Sequence, residues 1–261
     1  MVSSYAIKQL GKCKIKSPLQ SSFFVQENNG ILLDASVASC RNCKGNPLFL
    51  EEAGPRQLIY FDPSLSKAAI VTCGGLCPGL NDVIRAITMV LWYRYGVRSI
   101  IGLRYGYEGL VPSFGHQPID LTPELVEDIH QKGGTILGSS RGPQDIAVMV
   151  DFLLSSRINI LFTIGGDGTQ RGALEIVKEI EKRKLDISVV GIPKTIDNDI
   201  FLTERTFGFE TAVAMTRLPI SAAHMEAKGA PYGVGLVKLW GGNLVLLPPM
   251  QRLLQVMLIW C

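Results

Sequence analysis

Two clusters of polar residues in the middle of the chain have the types and spacing that suit phosphoryl chemistry. The first cluster, IGGDGT at residues 164–169, closes the apolar run 158–164 and precedes apolar residues at helical spacing over 171–184. We therefore predict a strand, a tight loop and a helix. Glycines in such a loop let backbone N–H groups approach an anionic oxygen, and the positive end of the helix adds to the attraction. Asp167 has the chemistry to hold Mg²⁺ against a bound phosphate.

The second cluster, PKTIDND at residues 193–199, follows the apolar run 187–192, which is typical of a buried parallel strand. Its polar side chains should therefore lie at the carboxyl end of a strand, where open α/β sheets bind ligands. One carboxylate could act as a general base while the other supports a metal ion or the lysine. The cation, the hydroxyl and the two carboxylates are Lys194, Thr195, Asp197 and Asp199. The structural alternative for the first cluster is a plain α/β turn with a solvated aspartate, and for the second it is a polar turn with carboxylates that cap a helix.

Two further glycine-rich loops have the same design. An apolar run at residues 68–72 leads into CGGLCPGLN at 73–81, and apolar residues then mark one face of a helix. The second of these loops, GGTILGSSRG at 133–142, carries Arg141, whose planar guanidinium suits polyphosphate oxygens. A lone arginine is usually a surface charge, but its glycine and serine neighbours favour an anion site.

Strands and helices must alternate to position these loops. We predict an α/β fold with a doubly wound, Rossmann-like parallel sheet over about residues 67–188. Thr122, Pro123 and Glu124 predict the start of a helix, with a capping hydroxyl, a proline in the first turn and a nearby carboxylate. The predicted helix continues through Leu125 and Ile129 and ends at Gly133.

Composition excludes several classes of protein. A net charge of +3 is too small to indicate nucleic-acid binding, and 47% hydrophobic content in 261 residues can fill a sizeable core. Pro248, Pro249 and Arg252 interrupt the apolar C-terminal stretch, which leaves it short of the roughly 20 residues of a membrane span. Cys40 and Cys43 form a single C-x-x-C pair, which is weak evidence for zinc and more typical of reduced cytoplasmic thiols.

In combination, the motifs resemble those of the 6-phosphofructokinase family, in the ATP-using branch found in plants, trypanosomatids and many bacteria. The matching segments run in family order from about Gly54 to Leu239. They are residues 54–56, 72–81, 106–110, 133–142, 165–173, 193–199 and 207–212. The resemblance implies the phosphofructokinase fold and transfer of a γ-phosphoryl group from ATP to the 1-hydroxyl of fructose 6-phosphate. It also implies Mg²⁺ and a homo-oligomer, a tetramer by family analogy. The N-terminal part could resemble an organelle transit peptide, but its basic residues are lysines where such peptides favour arginine, so we predict a cytoplasmic location.

The resemblance implies a role for each residue whose letter matches the family motifs. The donor side would comprise Gly75, Tyr107, Arg141, Gly142, Gly166, Asp167, Gly168 and Thr169, with Asp167 also binding Mg²⁺. The acceptor side would comprise Lys194, Thr195, Ile196, Asp197 and Asp199. Within it, Thr195 would hold the sugar, Asp197 would take the hydroxyl proton and Asp199 would support the metal side.

One position indicates the phosphoryl donor. Pyrophosphate users of the family carry aspartate where this chain has Gly168, and that charge and bulk obstruct the region of the nucleotide's α-phosphate. Gly168 therefore favours ATP. Lys194 alone would favour pyrophosphate, although the ATP-using branch also carries lysine there, so pyrophosphate stays as the alternative donor.

The resemblance stops at Leu239. The family continues with Met-Gly-Arg, whose arginine contacts the sugar and the transferring group, whereas this chain continues with Trp240 and has Gly242 at the arginine position. One allowed back-translation of residues 240–261, with a single A placed in front, reads MGRKSGFIAANATLASGDVDLV, which is the family's continuation. The next family residues, Leu-Ile-Pro-Glu, can be coded so that a stop codon follows Cys261 in the present frame. We therefore predict a frameshift at Trp240, with intron read-through or a divergent tail as the alternatives.

Four parts of the chain follow from this interpretation. They are an N-terminal extension at 1–53, a nucleotide-binding α/β domain at 54–190, the start of a sugar-phosphate lobe at 191–239 and an aberrant tail at 240–261. The sugar lobe would be incomplete and catalysis impaired, so a non-catalytic nucleotide-binding fragment or subunit is an alternative function. An NAD or diacylglycerol kinase would share the GGDGT loop, but the PKTIDND and GGLCPGLN motifs speak against it. The expected partners are ATP and fructose 6-phosphate, without nucleic acid or membrane.

Overall fold

The computed structural model describes the chain in four ranges and one further strand. These are residues 9–27, 29–33, 49–200 and 202–237, together with the backbone of 257–260. Cys40, Cys43, Trp240 and Gly242 lie outside the described residues, and so does most of the predicted aberrant tail.

The N-terminal part of the described chain contains four short strands in two antiparallel pairs. In chain order they are β1 (Ile15–Lys16), β2 (Gly30–Leu32), β3 (Phe49–Glu51) and β4 (Leu58–Ile59). Strand β1 pairs with β4, and β2 pairs with β3. A 3₁₀ turn at Pro63–Leu65, capped by the Asp62 carboxylate, then leads into the main sheet.

A five-stranded sheet forms the centre of the fold. Its strands are β5 (Lys67–Thr72), β6 (Ser99–Leu103), β7 (Ile119–Asp120), β8 (Ile160–Gly165) and β9 (Ser188–Pro193). Their order across the sheet is β7-β6-β5-β8-β9, and only the β6–β7 pair is antiparallel. The chain builds outward from β5 to β6 on one side and then from β8 to β9 on the other. This reversal creates a topological switch point between β5 and β8.

Helices connect the strands and follow the last of them. They are α1 (Leu80–Met89), which continues as a π-helix at Val90–Tyr95, α2 (Pro123–Val126), α3 (Ile146–Ser155), α4 (Asp167–Arg183) and α5 (Phe209–Lys228). Shorter 3₁₀ turns lie at Gly106–Leu110, Pro112–Phe114 and Ile129–Gln131. After α5, β10 (Val234–Val237) pairs antiparallel with β11 (Met257–Trp260). Over the described ranges, none of the helices combines the length and apolar character that crossing a membrane demands.

The two faces of the sheet are covered by separate hydrophobic clusters. Ala69 and Val71 of β5 pack with α3 and α4, whereas Ala68 and Ile70 pack with α1 on the opposite face. Because β5 is buried on both faces, it reads as a continuous apolar run rather than an alternating one. The predicted doubly wound α/β fold is confirmed.

Three local predictions differ from the structure. Helix α4 begins at Asp167 because the glycine loop itself supplies the first turn, earlier than the apolar spacing indicated. Strand β9 was predicted to be buried, but Val190 is 39% exposed because β9 is the outer strand of this sheet. The helix predicted after Thr122 ends at Val126 and gives way to the 3₁₀ turn, although the Thr122 hydroxyl does cap it.

Candidate functional site

The loops that follow β5 and β8 lie side by side at the switch point. The two strands are adjacent and parallel, so their carboxyl ends meet at one edge of the sheet. The Cys73 N–H donates to the Ile164 carbonyl at 2.9 Å, which extends the hydrogen bonding of the sheet into the loop at 73–81. We call this loop, which follows β5, the first glycine loop. Open α/β sheets bind ligands in the crevice outside such a point. The glycine loops predicted from the sequence therefore meet where the fold favours a ligand.

The loop from β8 into α4 depends on glycine. A Cβ atom on Gly165 would overlap the Thr169 side chain, and Gly166 occupies the position before the first helical residue. Asp167 and Gly168 follow and are both exposed at the crevice. A Cβ atom on Gly168 would meet nothing within 4 Å among the described residues, so the crevice is open there.

Lys194 lies between the two glycine loops. Its backbone N–H donates to the Gly165 carbonyl at 3.0 Å, and its ammonium donates to the Gly75 carbonyl at 2.6 Å. The residue is only 6% exposed. Burial lowers the pKa of the Lys194 ammonium, and the nearby Arg141 guanidinium lowers it further, while the Cys77 thiol and the Asp197 carboxyl act in the opposite direction.

The burial of Lys194 has a measurable cost in stability. Because the folded pKa lies below the ordinary 10.5, the folded state binds fewer protons than the unfolded state between those two values. Stability should therefore rise with pH across that window. We expect Lys194→Met to increase the free energy of unfolding at pH 7 by up to about 1 kcal/mol. Urea unfolding at pH 7 and at a series of higher pH values up to about 10.5 would measure both effects.

Lys178→Met is the matched control for this test. The Lys178 side chain is 56% exposed and pairs with Glu175 on the surface of α4, so its removal should change stability by no more than about 0.5 kcal/mol. The pH-dependent rise should persist in Lys178→Met and shrink in Lys194→Met. A Lys194→Met protein that is less stable than the unaltered chain at pH 7 would contradict this account.

Arg141 is exposed at the edge of the same crevice. Its Nη2 atom lies 3.4 Å from where a Cβ atom on Gly75 would be, so the guanidinium stands directly over the first glycine loop. The next residue, Gly142, is also exposed and has φ +106, a left-handed backbone conformation that glycine adopts without strain. The structure thus brings Arg141, Gly75 and Lys194 together.

The cluster after β9 forms a compact turn around Thr195. The Thr195 hydroxyl accepts from the Asp197 N–H at 3.0 Å and donates to Asp199 Oδ1 at 2.7 Å. Asp199 is exposed, whereas Asp197 and Ile196 are half-buried. Asp197 Oδ1 is buried and has no hydrogen-bond partner among the described residues. A buried carboxylate oxygen without a partner is costly, and it suits a group that must accept a proton from a ligand.

Tyr107 lies beneath the glycine loop rather than in the open crevice. Its hydroxyl donates to the Thr169 carbonyl at 2.7 Å, and its ring packs where a side chain on Gly172 would otherwise be. Burial raises the pKa of the Tyr107 phenol, with the Cys73 thiol adding to the rise. Tyr107 therefore supports the first turn of α4 as a neutral hydrogen-bond donor.

Sequence reasoning missed two residues that hold the crevice together. The Gln170 amide donates to both the Gly165 and Ile192 carbonyls, at 3.0 and 3.1 Å, and so ties the ends of β8 and β9. The buried Cys77 thiol donates to the Phe207 carbonyl at 3.1 Å and links the first glycine loop to the start of α5. Both residues lie within recognised motifs, at 165–173 and 73–81, but Ile192 and Phe207 become their neighbours only in the folded chain.

Comparison with known proteins gives consistent results. The family model described as Phosphofructokinase matches residues 67–250, a range that runs past Leu239. An ATP-dependent 6-phosphofructokinase of Borreliella burgdorferi is 50% identical over 244 residues, covering 91% of this chain and 55% of that protein. A protein of the same name from Entamoeba histolytica is 52% identical over 239 residues, covering 91% of this chain and 54% of that protein.

Solved structures agree on the fold. A pyrophosphate-dependent phosphofructokinase from Marinobacter aquaeolei has a TM-score of 0.55 at 20% identity, covering 63% of this chain and 42% of that one. Phosphofructokinase from Saccharomyces cerevisiae has a TM-score of 0.50 at 25% identity, covering 62% of this chain and 25% of that one.

The chain spans about half the length of the first two relatives, which are 50% and 52% identical to it over the aligned residues. The family model nevertheless covers most of the chain, and the motifs at 73–81, 133–142, 164–169 and 193–199 meet at one crevice. The chain therefore belongs to the phosphofructokinase family.

Proposed function

We propose that this protein transfers the γ-phosphoryl group of ATP to the 1-hydroxyl of fructose 6-phosphate in the cytoplasm. The observation that carries the proposal is the position of Lys194. Its ammonium contacts the loop after β5, its backbone contacts the loop after β8, and the acceptor cluster begins at the next residue. A donor held by the glycine loops would therefore lie beside the proton-accepting carboxylate. The ATP-dependent names of the relatives support the same donor.

The residues of the crevice divide the reaction between them. The unpartnered Asp197 oxygen takes the proton of the sugar 1-hydroxyl. At the same time the oxygen of that hydroxyl forms a bond to the γ-phosphorus. The bond between the γ-phosphorus and the bridging oxygen breaks, and ADP leaves. Arg141 and Lys194 supply fixed positive charge close to the phosphates, which stabilises the charge that develops during transfer. Thr195 holds the Asp197 backbone and the Asp199 carboxylate in place.

The crevice fits a magnesium ion that arrives with the donor. The described residues contain no group of three or more histidine, cysteine or carboxylate side chains able to hold a metal alone. Mg²⁺ usually binds through one or two carboxylates, water and substrate phosphates, and the exposed Asp167 carboxylate at the glycine loop supplies such a ligand. When bound, the ion would neutralise phosphate charge and hold the phosphoryl group in line.

Gly168 supports ATP rather than pyrophosphate as the donor. A side chain at this position would project into the open part of the crevice. We expect Gly168→Asp to weaken MgATP binding at least about tenfold, through repulsion of the nucleotide phosphates, and to spare pyrophosphate binding. Calorimetric titration with each donor would measure both effects.

Gly168→Asn is the matched control for that substitution, because it adds similar bulk without charge. It should weaken MgATP binding less than Gly168→Asp does. The aspartate of Gly168→Asp lies in the first turn of α4, where a negative charge is favourable, so this variant should not destabilise the helix. Equal MgATP affinity in Gly168→Asp and the unaltered chain would refute this basis for donor choice.

A product assay tests the proposed reaction. The chain is incubated with Mg²⁺, fructose 6-phosphate and either ATP or pyrophosphate, and fructose 1,6-bisphosphate is measured. We expect product with ATP at a higher rate than with pyrophosphate. Product from pyrophosphate alone would favour the alternative donor, and phosphorylation of NAD⁺ instead of the sugar phosphate would overturn the proposal.

A non-catalytic nucleotide-binding role is the second candidate. It is favoured by glycine at the predicted arginine position, Gly242. MgATP binding without any product would support this role. Sedimentation analysis would show whether the chain forms the homo-tetramer that the family resemblance implies.

A further inference from the structure

The segment that carries Arg141 has no regular structure of its own. Residues 132–145, all of them described, form neither helix nor strand between the 3₁₀ turn at Ile129–Gln131 and α3. Irregular segments that carry functional side chains need outside partners for their backbone groups. The position of Arg141 therefore depends on what this segment contacts.

Thr72, the last residue of β5, is one such partner. It is 1% exposed, and its hydroxyl donates to the Gly138 carbonyl at 2.7 Å. Its oxygen also lies 3.0 Å from Thr135 Oγ1, which accepts from the Leu137 N–H at 3.2 Å. The Thr72 hydroxyl has one proton, and a carbonyl only accepts, so the Thr135 hydroxyl must donate to Thr72. Donors and acceptors then form one continuous chain from Leu137 to Gly138.

Asn81, in the first turn of α1, is the second partner. It is 2% exposed, its amide donates to the Lys132 carbonyl at 2.9 Å, and its oxygen accepts from the Ile136 N–H at 2.9 Å. Thr72 precedes the glycine loop at 73–81, and Asn81 is the last residue of that loop. The two buried side chains therefore fasten both ends of that loop to the segment that carries Arg141.

Two further contacts bring the segment up to the arginine itself. The Gly74 N–H donates to the Ser140 carbonyl at 3.1 Å, and the Ser139 hydroxyl donates to the Gly74 carbonyl at 2.6 Å. Arg141 is the next residue, and its guanidinium lies over Gly75. A shift of the segment along β5 would thus move the cation away from the loop.

We propose that Thr72 and Asn81 are positioning residues that hold Arg141 over the polyphosphate of the donor. This inference rests on the proposed function, because the donor is the ligand whose affinity should respond. Neither side chain needs to touch the nucleotide. Each fixes the position of residues 132–140 relative to the first glycine loop, and thereby the position of Arg141.

A double-mutant cycle tests the inference by MgATP titration of the full chain. Thr72→Val keeps the shape of the side chain and removes the hydroxyl, and it should weaken MgATP binding about five- to tenfold. Thr72→Ser keeps the hydroxyl and should restore affinity to within about twofold. Arg141→Ala should weaken binding by about ten- to a hundredfold, as expected for loss of a charge-assisted contact. Adding Thr72→Val to Arg141→Ala should cost less than about twofold more, because the group being positioned is already absent.

Thr88→Val is the matched control for the loss of a buried hydroxyl. Thr88 is fully buried, and its hydroxyl donates only within α1, to the Ile84 carbonyl at 2.9 Å. Thr88→Val should therefore leave MgATP affinity unchanged. Thr135→Val, which removes the same hydrogen-bond chain from the loop side, replaces Thr72→Val if circular dichroism shows that variant to be unfolded.

The outcomes separate the inference from the proposed function. Full additivity of Thr72→Val and Arg141→Ala, or an equal loss in Thr88→Val, would overturn the positioning role while MgATP binding by the unaltered chain stands. Failure of the unaltered chain to bind MgATP would overturn both. A loss in Thr72→Val that disappears in the Arg141→Ala background supports the inference.

Discussion

Restoring the predicted reading frame after Leu239 is expected to raise the rate of sugar-phosphate phosphorylation by about 10³- to 10⁵-fold. Insertion of a single nucleotide ahead of the Trp240 codon should open a frame that begins Met-Gly-Arg. That arginine would supply a charge-assisted contact to the transferring group, which is absent where Gly242 stands. Sequencing of the gene through this region and a product assay on both proteins would measure the effect.

The restored frame has its own control. Changing the new arginine to alanine should remove most of the gain while leaving MgATP affinity unaltered, because the donor loops all precede Leu239. A gene in which the shifted frame does not encode family-like sequence would contradict the frameshift proposal. So would a restored protein with no gain in rate.

Replacing the proposed general base should have the second large effect. We expect Asp197→Asn to lower the rate of phosphoryl transfer by about 10²- to 10⁴-fold, because an amide cannot take the hydroxyl proton. MgATP affinity should change by less than about twofold, since Asp197 has no hydrogen bond to either glycine loop among the described residues. Initial-rate kinetics with the unaltered and frame-restored proteins, with MgATP titration alongside, would measure the two quantities separately.

Asp199→Asn is the matched comparison. The Asp199 carboxylate already has the Thr195 hydroxyl as a partner at 2.7 Å, so its replacement should cost less than about tenfold in rate. Equal losses in the two variants would argue against Asp197 as the base. A large loss of MgATP affinity in Asp197→Asn would assign it to the donor side instead.

The strands that carry the site could be predicted from the sequence because their signal is local. The apolar runs at 68–72, 158–164 and 187–192 correspond to β5, β8 and β9 within two residues at each end, and each run ends in a polar or glycine-rich loop. Parallel strands buried on both faces produce such runs whatever their neighbours are. The doubly wound class followed from the alternation of these runs with helical spacing.

The contacts that complete the site could not be predicted, because they join distant parts of the chain. Lys194 and Gly75 are 119 residues apart, and Thr72 and Gly138 are 66 apart. The direction of each side chain depends on the strand order, which local spacing does not encode. Tyr107 is an example. Its motif predicted a contact with the nucleotide, whereas in the fold its hydroxyl donates to the Thr169 carbonyl, 62 residues away. The ligand roles of the individual residues and the domain boundaries stay predictions.

The exposed edge of β9 shows how tertiary context changes a local signal. An apolar run at 187–192 predicts burial, yet Val190 is 39% exposed on the outer strand. The same run in the centre of a sheet would be covered on both faces. Local sequence determines that the segment is a strand, and the position in the sheet determines how much of it is buried.

Equilibrium titration of the unaltered chain with MgATP, and separately with magnesium pyrophosphate, tests the central claim most directly. The claim is that the crevice between the ends of β5 and β8 is a donor site for ATP. The account predicts saturable MgATP binding that is tighter than pyrophosphate binding and is weakened in Gly168→Asp. No MgATP binding by the folded chain, or tighter binding of pyrophosphate than of MgATP, would contradict it.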